Sequence, residues 1–420
     1  MDQLPLTDDT VIFGLLALCL GFVFYTSNLE HKFWKKFYTF VPTVLMCYLL
    51  PAIFASSGLI SEEASNLYFI ASRYLLPAAL VLLTLSIDLK AIANLGSKAL
   101  IMFFTGSLGI IIGGPIAILI VSIFSPETVG GAGFDAVWRG LTTIAGSWIG
   151  GGANQAAMLE VFQYNQEKYG GMVLIDIVVA NIWMAIILFG VGKTKTIDKW
   201  LKADTRSIET LKEKVKTYTD KITRVPTTKD YIMLLFFAFV GVGLAHLLGH
   251  HFATFLENNF EAVSNKDKIL SSLGSKFLWM VVFATAFGIA LSFTKAKTYE
   301  GAGASKIGGL FIYILVATIG MKMDLGKVLE NPGLIAIGLI WITIHALLLI
   351  IVAKLIKAPY FFLAVGSQAN VGGAASAPVV AAEFHPSLTS VGILLAVFGY
   401  VVGTAGAYLC GLLMEVSASL

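Results

Sequence analysis

The sequence of 420 residues contains few charged residues and few cysteines. Asp, Glu, Lys and Arg make up 13% of it, whereas soluble domains contain about 25%, so an ordinary soluble fold is excluded. The three cysteines are dispersed through apolar runs, which excludes a disulfide framework or a cysteine-based metal site. The net charge of +3 is too small to support nucleic-acid binding.

Catalytic motifs are also missing from the sequence. It contains no nucleophile elbow, no histidine spacing typical of zinc enzymes and no Gly-Lys-Ser/Thr phosphate loop. The N-terminus is acidic and lacks the basic region of a signal peptide. We therefore expect a protein that is not an enzyme, that holds no cofactor and that keeps its first apolar run as a helix.

Long hydrophobic runs are abundant, by contrast. Hydrophobic residues make up 57% of the chain, and the mean hydropathy is +0.82. Because a membrane helix needs about 20 apolar residues, the recurring runs predict an all-α polytopic protein of the bacterial cytoplasmic membrane. The apolar segments lie near 11–27, 39–57, 68–87, 99–123, 138–162, 172–192, 231–249, 274–293, 306–321, 333–353, 360–382 and 389–413.

One long polar linker, Lys193–Asp230, divides these segments into two sets of six. Its excess of lysine and arginine predicts a cytoplasmic location. Leu201, Ile208, Leu211 and Val215 recur at a spacing that favours an amphipathic surface helix. The interpretation is a first repeat over 1–192, a linker over 193–230 and a second repeat over 231–420.

The two halves carry the same marks in the same order. The stretches Gly146–Gln155 and Gly366–Ser376 are clusters of Gly, Asn, Gln and Ser inside apolar segments, and an acidic residue (Asp88 or Asp324) ends the third segment of each half. Irregular backbone at membrane depth is tolerated only where protein or a water-filled cavity surrounds it. Matching breaks in two halves are typical of a transporter binding site.

The distribution of positive charge predicts how each half is inserted. If the fifth segment crossed the membrane, the basic linker would lie outside, against the positive-inside bias. A re-entrant hairpin at the fifth and eleventh segments places the linker inside and both termini outside. Each half then has five crossings and one hairpin, and because five is odd the second repeat is inverted relative to the first.

The hairpin tips are the predicted binding site. We expect each first arm to end near Gly146 or Gly366 and each second arm to begin at an N-cap, Asn154 or Ser376. Free N–H groups at the second arms favour an anionic substrate, and free carbonyls at the first arms favour a cation. The alternative interpretation is helix packing through small residues. The candidate substrate-binding residues are Ser147, Gly150, Gly151, Gly152, Asn154, Gln155, Ser367, Gln368, Asn370, Gly372, Gly373 and Ser376.

Asp176 is the main candidate for binding the coupling cation. It lies in the first third of the sixth apolar segment, where a carboxylate is costly and marks a functional site; the alternative is a position at the membrane interface. With Asn181 and the hairpin carbonyls it forms a candidate Na⁺ site. His345, alone on an apolar helix, and Glu160, late in a second arm, are interpreted as a packing residue and a solvated end.

The Gly-Ser-x-x-Gly-Gly-Gly-x-Asn stretch at Gly146 and the Gly-Ser-x-x-Asn-x-Gly-Gly stretch at Gly366 resemble those of the YjcL-like bacterial membrane proteins, a domain of unknown function. The resemblance covers nearly the whole chain. That group is distantly similar to the cation:proton antiporters and glutamate:sodium symporters, and its hairpin pattern is similar to that of the 2-hydroxycarboxylate transporters. The resemblance implies homodimers, elevator-like movement of a transport domain against a scaffold domain, and binding residues at both hairpin tips.

The predicted function is secondary active transport of a small molecule across the bilayer. The leading hypothesis is a Na⁺-coupled symporter of a small organic anion, an amino acid or a short peptide, with H⁺ as the alternative coupling ion. A cation:proton antiporter is the second hypothesis, with Asp176 as its titrating group. A channel or a membrane sensor is the third.

Overall fold

A computed structural model describes residues 5–61, 65–208, 211, 224–265, 269–327 and 330–420. Helices make up most of these ranges, and an isolated bridge joins Leu6 to Ile60. The principal helices are α1 (Asp9–Ser27), α2 (Lys32–Phe40), α3 (Thr43–Ser56), α4 (Leu67–Leu85), α5 (Ser97–Phe124), α6 (Val137–Gly150), α7 (Gly152–Val161), α8 (Tyr169–Val191), α9 (Thr194–Leu201), α10 (Thr228–Asn259), α11 (Lys276–Ser292), α12 (Ala304–Gly320), α13 (Leu334–Leu355), α14 (Tyr360–Val371), α15 (Gly373–Phe384) and α16 (Thr389–Ala418).

Several of these helices are long and apolar enough to cross a membrane. Over the described ranges, seven helices meet this condition, or up to nine if each of two bent helix pairs is counted as one span. The pairs bend by 93° between α2 and α3 and by 98° after α11. The predicted all-α polytopic membrane protein is confirmed at this level.

Local sequence signals explain where two of these helices start, and a third helix is distorted. The Asp8 carboxylate accepts hydrogen bonds from the backbone N–H groups of Thr10 and Val11 at the start of α1. Thr227 and Asp230 form a reciprocal capping box at the start of α10. A π-helical turn interrupts α4 at Ala71–Leu75, and such turns are frequent at functional sites.

The fifth and eleventh apolar segments are each broken into two helices, at positions that differ from the prediction. The first arms end at Gly150 and Val371 rather than near Gly146 and Gly366, and the second arms begin at Gly152 and Gly373. The first break coincides with Gly151, whose φ of 76° lies in the left-handed region that only glycine adopts at low cost.

The two arms of each broken segment fold back on one another. Arg139 Nη1 donates to the Phe162 carbonyl at 2.6 Å, and Asn165 N donates to the Phe134 carbonyl at 2.9 Å, which brings together the outer ends of α6 and α7. The rings of Phe361 and Phe384, with centroids 5.3 Å apart, join the outer ends of α14 and α15. We call α6–α7 hairpin 1 and α14–α15 hairpin 2.

The helices pack as two bundles. The first bundle consists of α1, α3, α4, α10, α11 and α12, and the second of α5, α8, α13, α16 and both hairpins. The first three apolar segments of each half build the first bundle, and the last three build the second. Gly109 and Gly113 on α5 allow close packing against α13, since a Cβ on either glycine would clash with His345 or Trp341.

The start of the linker contacts the outer end of hairpin 2. Asp198 on α9 accepts a hydrogen bond from Tyr360 N, the first residue of α14, at 2.7 Å. Leu201 and Leu211 are buried, as the predicted amphipathic pattern requires, whereas Val215 lies outside the described residues. The linker thereby supplies a partner for an N–H group that the helix itself leaves free.

Asp198→Ala is expected to lower the free energy of unfolding by about 1 kcal/mol, because it leaves the Tyr360 N–H without its acceptor. Thermal unfolding of the purified protein is the measurement. Asp198→Asn is the matched control, since its amide oxygen accepts the same bond. Equal losses in the two variants would mean that the charge of Asp198, and not the hydrogen bond, is responsible.

Candidate functional site

The tips of the two hairpins meet inside the second bundle. A Cβ placed on Gly373 would lie 3.9 Å from the Cα of Gly151. Gly399 of α16 lies against both tips, because a Cβ there would be 2.9 Å from the Ile149 carbonyl oxygen and 3.5 Å from that of Ala369. The sequence pattern predicted two tips, and the structure brings them into one place.

Asn154 and Asn370 join their hairpins to neighbouring helices. Asn154 Nδ2 donates to the Gly150 carbonyl at 3.0 Å, and its Oδ1 accepts from Thr404 Oγ1 at 2.6 Å. Asn370 makes the equivalent pair of contacts. Its Nδ2 donates to the Gly366 carbonyl at 2.9 Å, and its Oδ1 accepts from Ser107 Oγ at 2.7 Å. Neither amide acts as an N-cap. Both are engaged in holding the tips and act as positioning residues.

Asp176 lies against hairpin 1. Its carboxylate accepts hydrogen bonds from Trp148 Nε1 at 2.6 Å and from Gln155 Nε2 at 3.0 Å, and the Ser147 side chain lies near it. Trp148 and Ser147 belong to the first arm and Gln155 to the second. One buried carboxylate therefore connects both arms close to the tip.

No positive side chain balances this carboxylate among the residues that the structure describes. Asp176 is 7% exposed, and none of the ion pairs found in those ranges includes it. An isolated buried charge costs far more than hydrogen bonds to neutral groups recover. The site therefore favours either a bound cation or a proton at Asp176.

Asn181, the second residue of the predicted Na⁺ site, does not join Asp176. It is exposed, and its Nδ2 donates to the Ile177 carbonyl of its own helix at 2.7 Å. The five-residue spacing from Asp176 turns it to another face of α8. Within the described ranges no cluster of three or more His, Cys, Asp or Glu could hold a metal ion, so further cation ligands would come from Ser147, Gln155 or backbone carbonyls.

Ser367 anchors hairpin 2 through a chain of buried hydrogen bonds. Trp183 Nε1 donates to Ser367 Oγ at 2.8 Å, His345 Nε2 lies 2.8 Å from the same oxygen, and His345 Nδ1 lies 2.9 Å from the Gly106 carbonyl. Because that carbonyl only accepts, Nδ1 carries a proton, and the Ser367 hydroxyl donates to Nε2. His345 thus links α5, α13 and hairpin 2.

Gln368 and Ser376 face each other across the tip of hairpin 2. Ser376 Oγ donates to Gln368 Oε1 at 2.7 Å. Gly372 lies between them, since a Cβ there would be 2.9 Å from Gln368 Oε1 and would clash with Ser376 Oγ. Gln368 Nε2 is buried and has no hydrogen-bond partner among the described residues.

The remaining predicted site residues are the tip glycines Gly150, Gly151, Gly152, Gly372 and Gly373. Gly150 allows close approach of α16, because a Cβ on Gly403 of α16 would lie 2.6 Å from the Cα of Gly150. A Cβ on Gly152 would lie 3.7 Å from Ile312 of the first bundle. The tip of hairpin 1 therefore faces the boundary between the bundles.

Sequence reasoning missed several residues that hold the site together. His345 links hairpin 2 to its neighbours and is more than a packing residue. The sequence also did not predict a role for Trp148, Trp183, Thr404 or Ser107. Single Trp, Thr or Ser residues in an apolar helix give no periodic signal. Their partners lie between 28 and 263 residues away along the chain.

Glu160 is not the solvated end that the sequence suggested. It forms an ion pair with Arg73 at 2.8 Å, and its side chain is only 11% exposed. Tyr68 also donates to Glu160, so two residues of α4 contact the second arm of hairpin 1. Glu160 also lines a cavity of about 680 Å³, together with Gln163 and Lys322. This polar junction connects the two bundles.

Comparison with known proteins supports the predicted family resemblance. A relative described as "Uncharacterized membrane protein YjcL" from Bacillus subtilis (strain 168) is 25% identical over 412 residues, and the match covers 96% of each chain. The family model described as "Protein of unknown function (DUF819)" matches residues 12–416. The chain is a multi-pass membrane protein and belongs to this DUF819 family.

Proposed function

We propose that the protein is a secondary active transporter that couples a cation to the movement of a small organic anion, an amino acid or a short peptide. One observation carries this proposal. Asp176, a buried carboxylate with no positive partner among the described residues, is bonded to both arms of a hairpin whose tip meets a second hairpin. Ionisable groups inside membrane bundles mark ion pathways by default.

The chemistry of Asp176 supports cation coupling. A carboxylate in a low-dielectric bundle binds a hard cation through its oxygens or takes up a proton, and either event removes an unbalanced charge. Because Trp148 and Gln155 are bonded to the same carboxylate, cation occupancy would change the fit between the two arms. We propose Na⁺ as the coupling ion and H⁺ as the alternative.

The organisation of the bundles supports alternating access by an elevator-type movement. Corresponding segments of the two halves build the same bundle, which is expected of two inverted repeats. In this proposal the second bundle is the transport domain, and the first bundle is a scaffold domain through which two copies form a homodimer. The basic linker is cytoplasmic and both termini lie outside.

The proposed re-entrant hairpins predict which positions share a side of the membrane. Cysteines placed at Phe134 and Gln163, at the two outer ends of hairpin 1, should react with an impermeant thiol reagent from the same side. Cysteines at Lys357 and Glu383, beside the outer ends of hairpin 2, should react only from the opposite side. All four positions are exposed, and labelling in right-side-out and inverted vesicles is the measurement.

Labelling of Phe134→Cys and Gln163→Cys from opposite sides would contradict a re-entrant hairpin 1. The native cysteines are suitable as background, because Cys19, Cys47 and Cys410 are all buried. A variant without them serves as the matched control for reagent that reaches the interior.

Transport itself is tested by uptake into proteoliposomes with an imposed Na⁺ gradient, an imposed pH gradient or neither. The labelled solutes are acetate, lactate, malate, citrate, glutamate and glycine. Uptake driven by the Na⁺ gradient supports the symporter. Na⁺ efflux driven by a pH gradient without a co-solute favours the cation:proton antiporter, which the same carboxylate would serve. If neither gradient drives any flux, both the symporter and the antiporter are contradicted.

A further inference from the structure

Gln368 is a buried side chain whose hydrogen-bonding capacity is only half used. It is 1% exposed, its Oε1 accepts from Ser376 Oγ, and its Nε2 has no partner in the described part of the chain. A buried donor without an acceptor costs about 1–3 kcal/mol. Such a cost is tolerated where a ligand supplies the acceptor.

The orientation of this amide follows from its position over the start of α15. Gln368 Oε1 is the atom next to Gly372, the residue before the first turn of α15. The positive end of a helix favours an oxygen there over an NH₂ group. The NH₂ group therefore points away from Ser376, and it is the free donor of the site.

The positive ends of two helices lie at the meeting tips of the hairpins. No side chain caps the first turn of α15, and Ala374 and Ala375 in that turn are exposed. The first turn of α7 is also uncapped, and its N-terminal glycines adjoin the tip of hairpin 2. The N-termini of α7 and α15 therefore both lie at the meeting tips, with the Gln368 amide beside the start of α15, and helix N-termini stabilise negative charge.

We propose that Gln368 Nε2 and the first turn of α15 bind the carboxylate group of the transported solute. This inference rests on the proposed transport function and narrows its substrate class to carboxylates. The carboxylate would bind at hairpin 2 and the cation at Asp176, beside hairpin 1. Because their charges are opposite, the two can cross the membrane together with little net charge. Gln368 is the specificity-determining donor, because the Asn154 and Asn370 amides are already engaged.

The test compares variants of Gln368 by thermal unfolding of the purified full chain. Gln368→Glu keeps the acceptor for Ser376 Oγ and replaces only the free donor by a negative oxygen. Gln368→Met has a similar volume and lacks a donor altogether. Gln163→Glu, the same substitution at an exposed glutamine, is the matched control. The probes are the sodium salts of acetate, lactate, malate, citrate, glutamate and glycine, each compared with sodium chloride.

We expect at least one carboxylate to stabilise the wild type and the Gln163→Glu variant. Its apparent affinity should fall roughly 10- to 150-fold in Gln368→Met, as expected for one lost hydrogen bond to a charged group, and further in Gln368→Glu through repulsion. If no carboxylate stabilises the wild type, or if either Gln368 variant keeps the wild-type affinity, the proposal is overturned. Stabilisation of Gln368→Glu by choline or ethylammonium beyond the wild type also overturns it.

Failure of this inference is separable from failure of the transport proposal. A comparison of thermal stability in sodium chloride and in choline chloride, without any carboxylate, reports only on the cation at Asp176. If Na⁺ stabilises the protein but no carboxylate does, cation coupling stands and the substrate class is wrong. If Gln368→Glu does not fold, Gln368→Met still decides the outcome.

Discussion

Asp176→Asn is expected to reduce gradient-driven uptake strongly while the protein still folds and inserts. The asparagine oxygen accepts from Trp148 Nε1, and a turned Gln155 amide accepts from the new NH₂ group, so the two contacts to hairpin 1 survive. Only the charge is removed. Since coupling free energies are typically 1–3 kcal/mol, the response to the driving ion should fall by about 5- to 150-fold.

The ion that loses its effect identifies the coupling ion. If Na⁺ is coupled, the variant loses Na⁺-dependent stabilisation and Na⁺-driven uptake together; if H⁺ is coupled, it loses the pH dependence of transport. Asp324→Asn is the matched control, because that carboxylate is 45% exposed, caps the turn at Gly326 and already has a positive partner, Lys327, at 3.9 Å. An unchanged Na⁺ response and an unchanged pH profile in Asp176→Asn would show that Asp176 does not couple transport.

Gly146→Ala is expected to destabilise the protein by about 3 kcal/mol, near the upper end for an overpacked core. A Cβ at Gly146 would lie 2.6 Å from the Asn154 carbonyl oxygen and 2.9 Å from Gln155 N. Both are backbone atoms of the opposite arm, so no side-chain movement can relieve the clash. The arms of hairpin 1 would separate, and Gln155 would lose its contact with Asp176.

Gly243→Ala is the control for this substitution. Gly243 lies within α10, and a Cβ there would meet nothing within 4 Å. Because alanine is the better helix former, this variant should match or exceed the wild type by up to about 1 kcal/mol. Thermal unfolding of both variants is the measurement. Wild-type stability in Gly146→Ala would mean that the two arms do not pack as closely as the structure has them.

Much of the architecture is readable from the sequence, because membranes impose simple rules. The low charge content and the apolar runs require spanning helices, since only internally bonded backbone is tolerated in lipid. The breaks near Gly150 and Gly372 are visible because Gly, Asn and Gln are improbable inside apolar segments. Asp176 is visible for the same reason. The two breaks and Asp176 can therefore be located from local composition alone.

The exact ends of the arms were not readable. Asn154 and Ser376 carry the usual N-cap signature, yet the second arms begin earlier, at Gly152 and Gly373. The Asn154 side chain is instead bonded to Thr404 and to the Gly150 carbonyl. A tertiary partner thus outweighed a local preference of about 1 kcal/mol.

The sequence by itself determined the class of the protein, its twelve apolar segments and the two polar breaks, because each depends on local composition against hydrocarbon. Only the tertiary structure decided which polar groups share a site. It joined Asp176 to both arms of hairpin 1, excluded Asn181 from that site and connected His345 to Ser367. It also left Gln368 Nε2 without a partner in the part of the chain that the structure describes. Those pairings depend on helix rotation and on contacts across the whole chain, which no local pattern encodes.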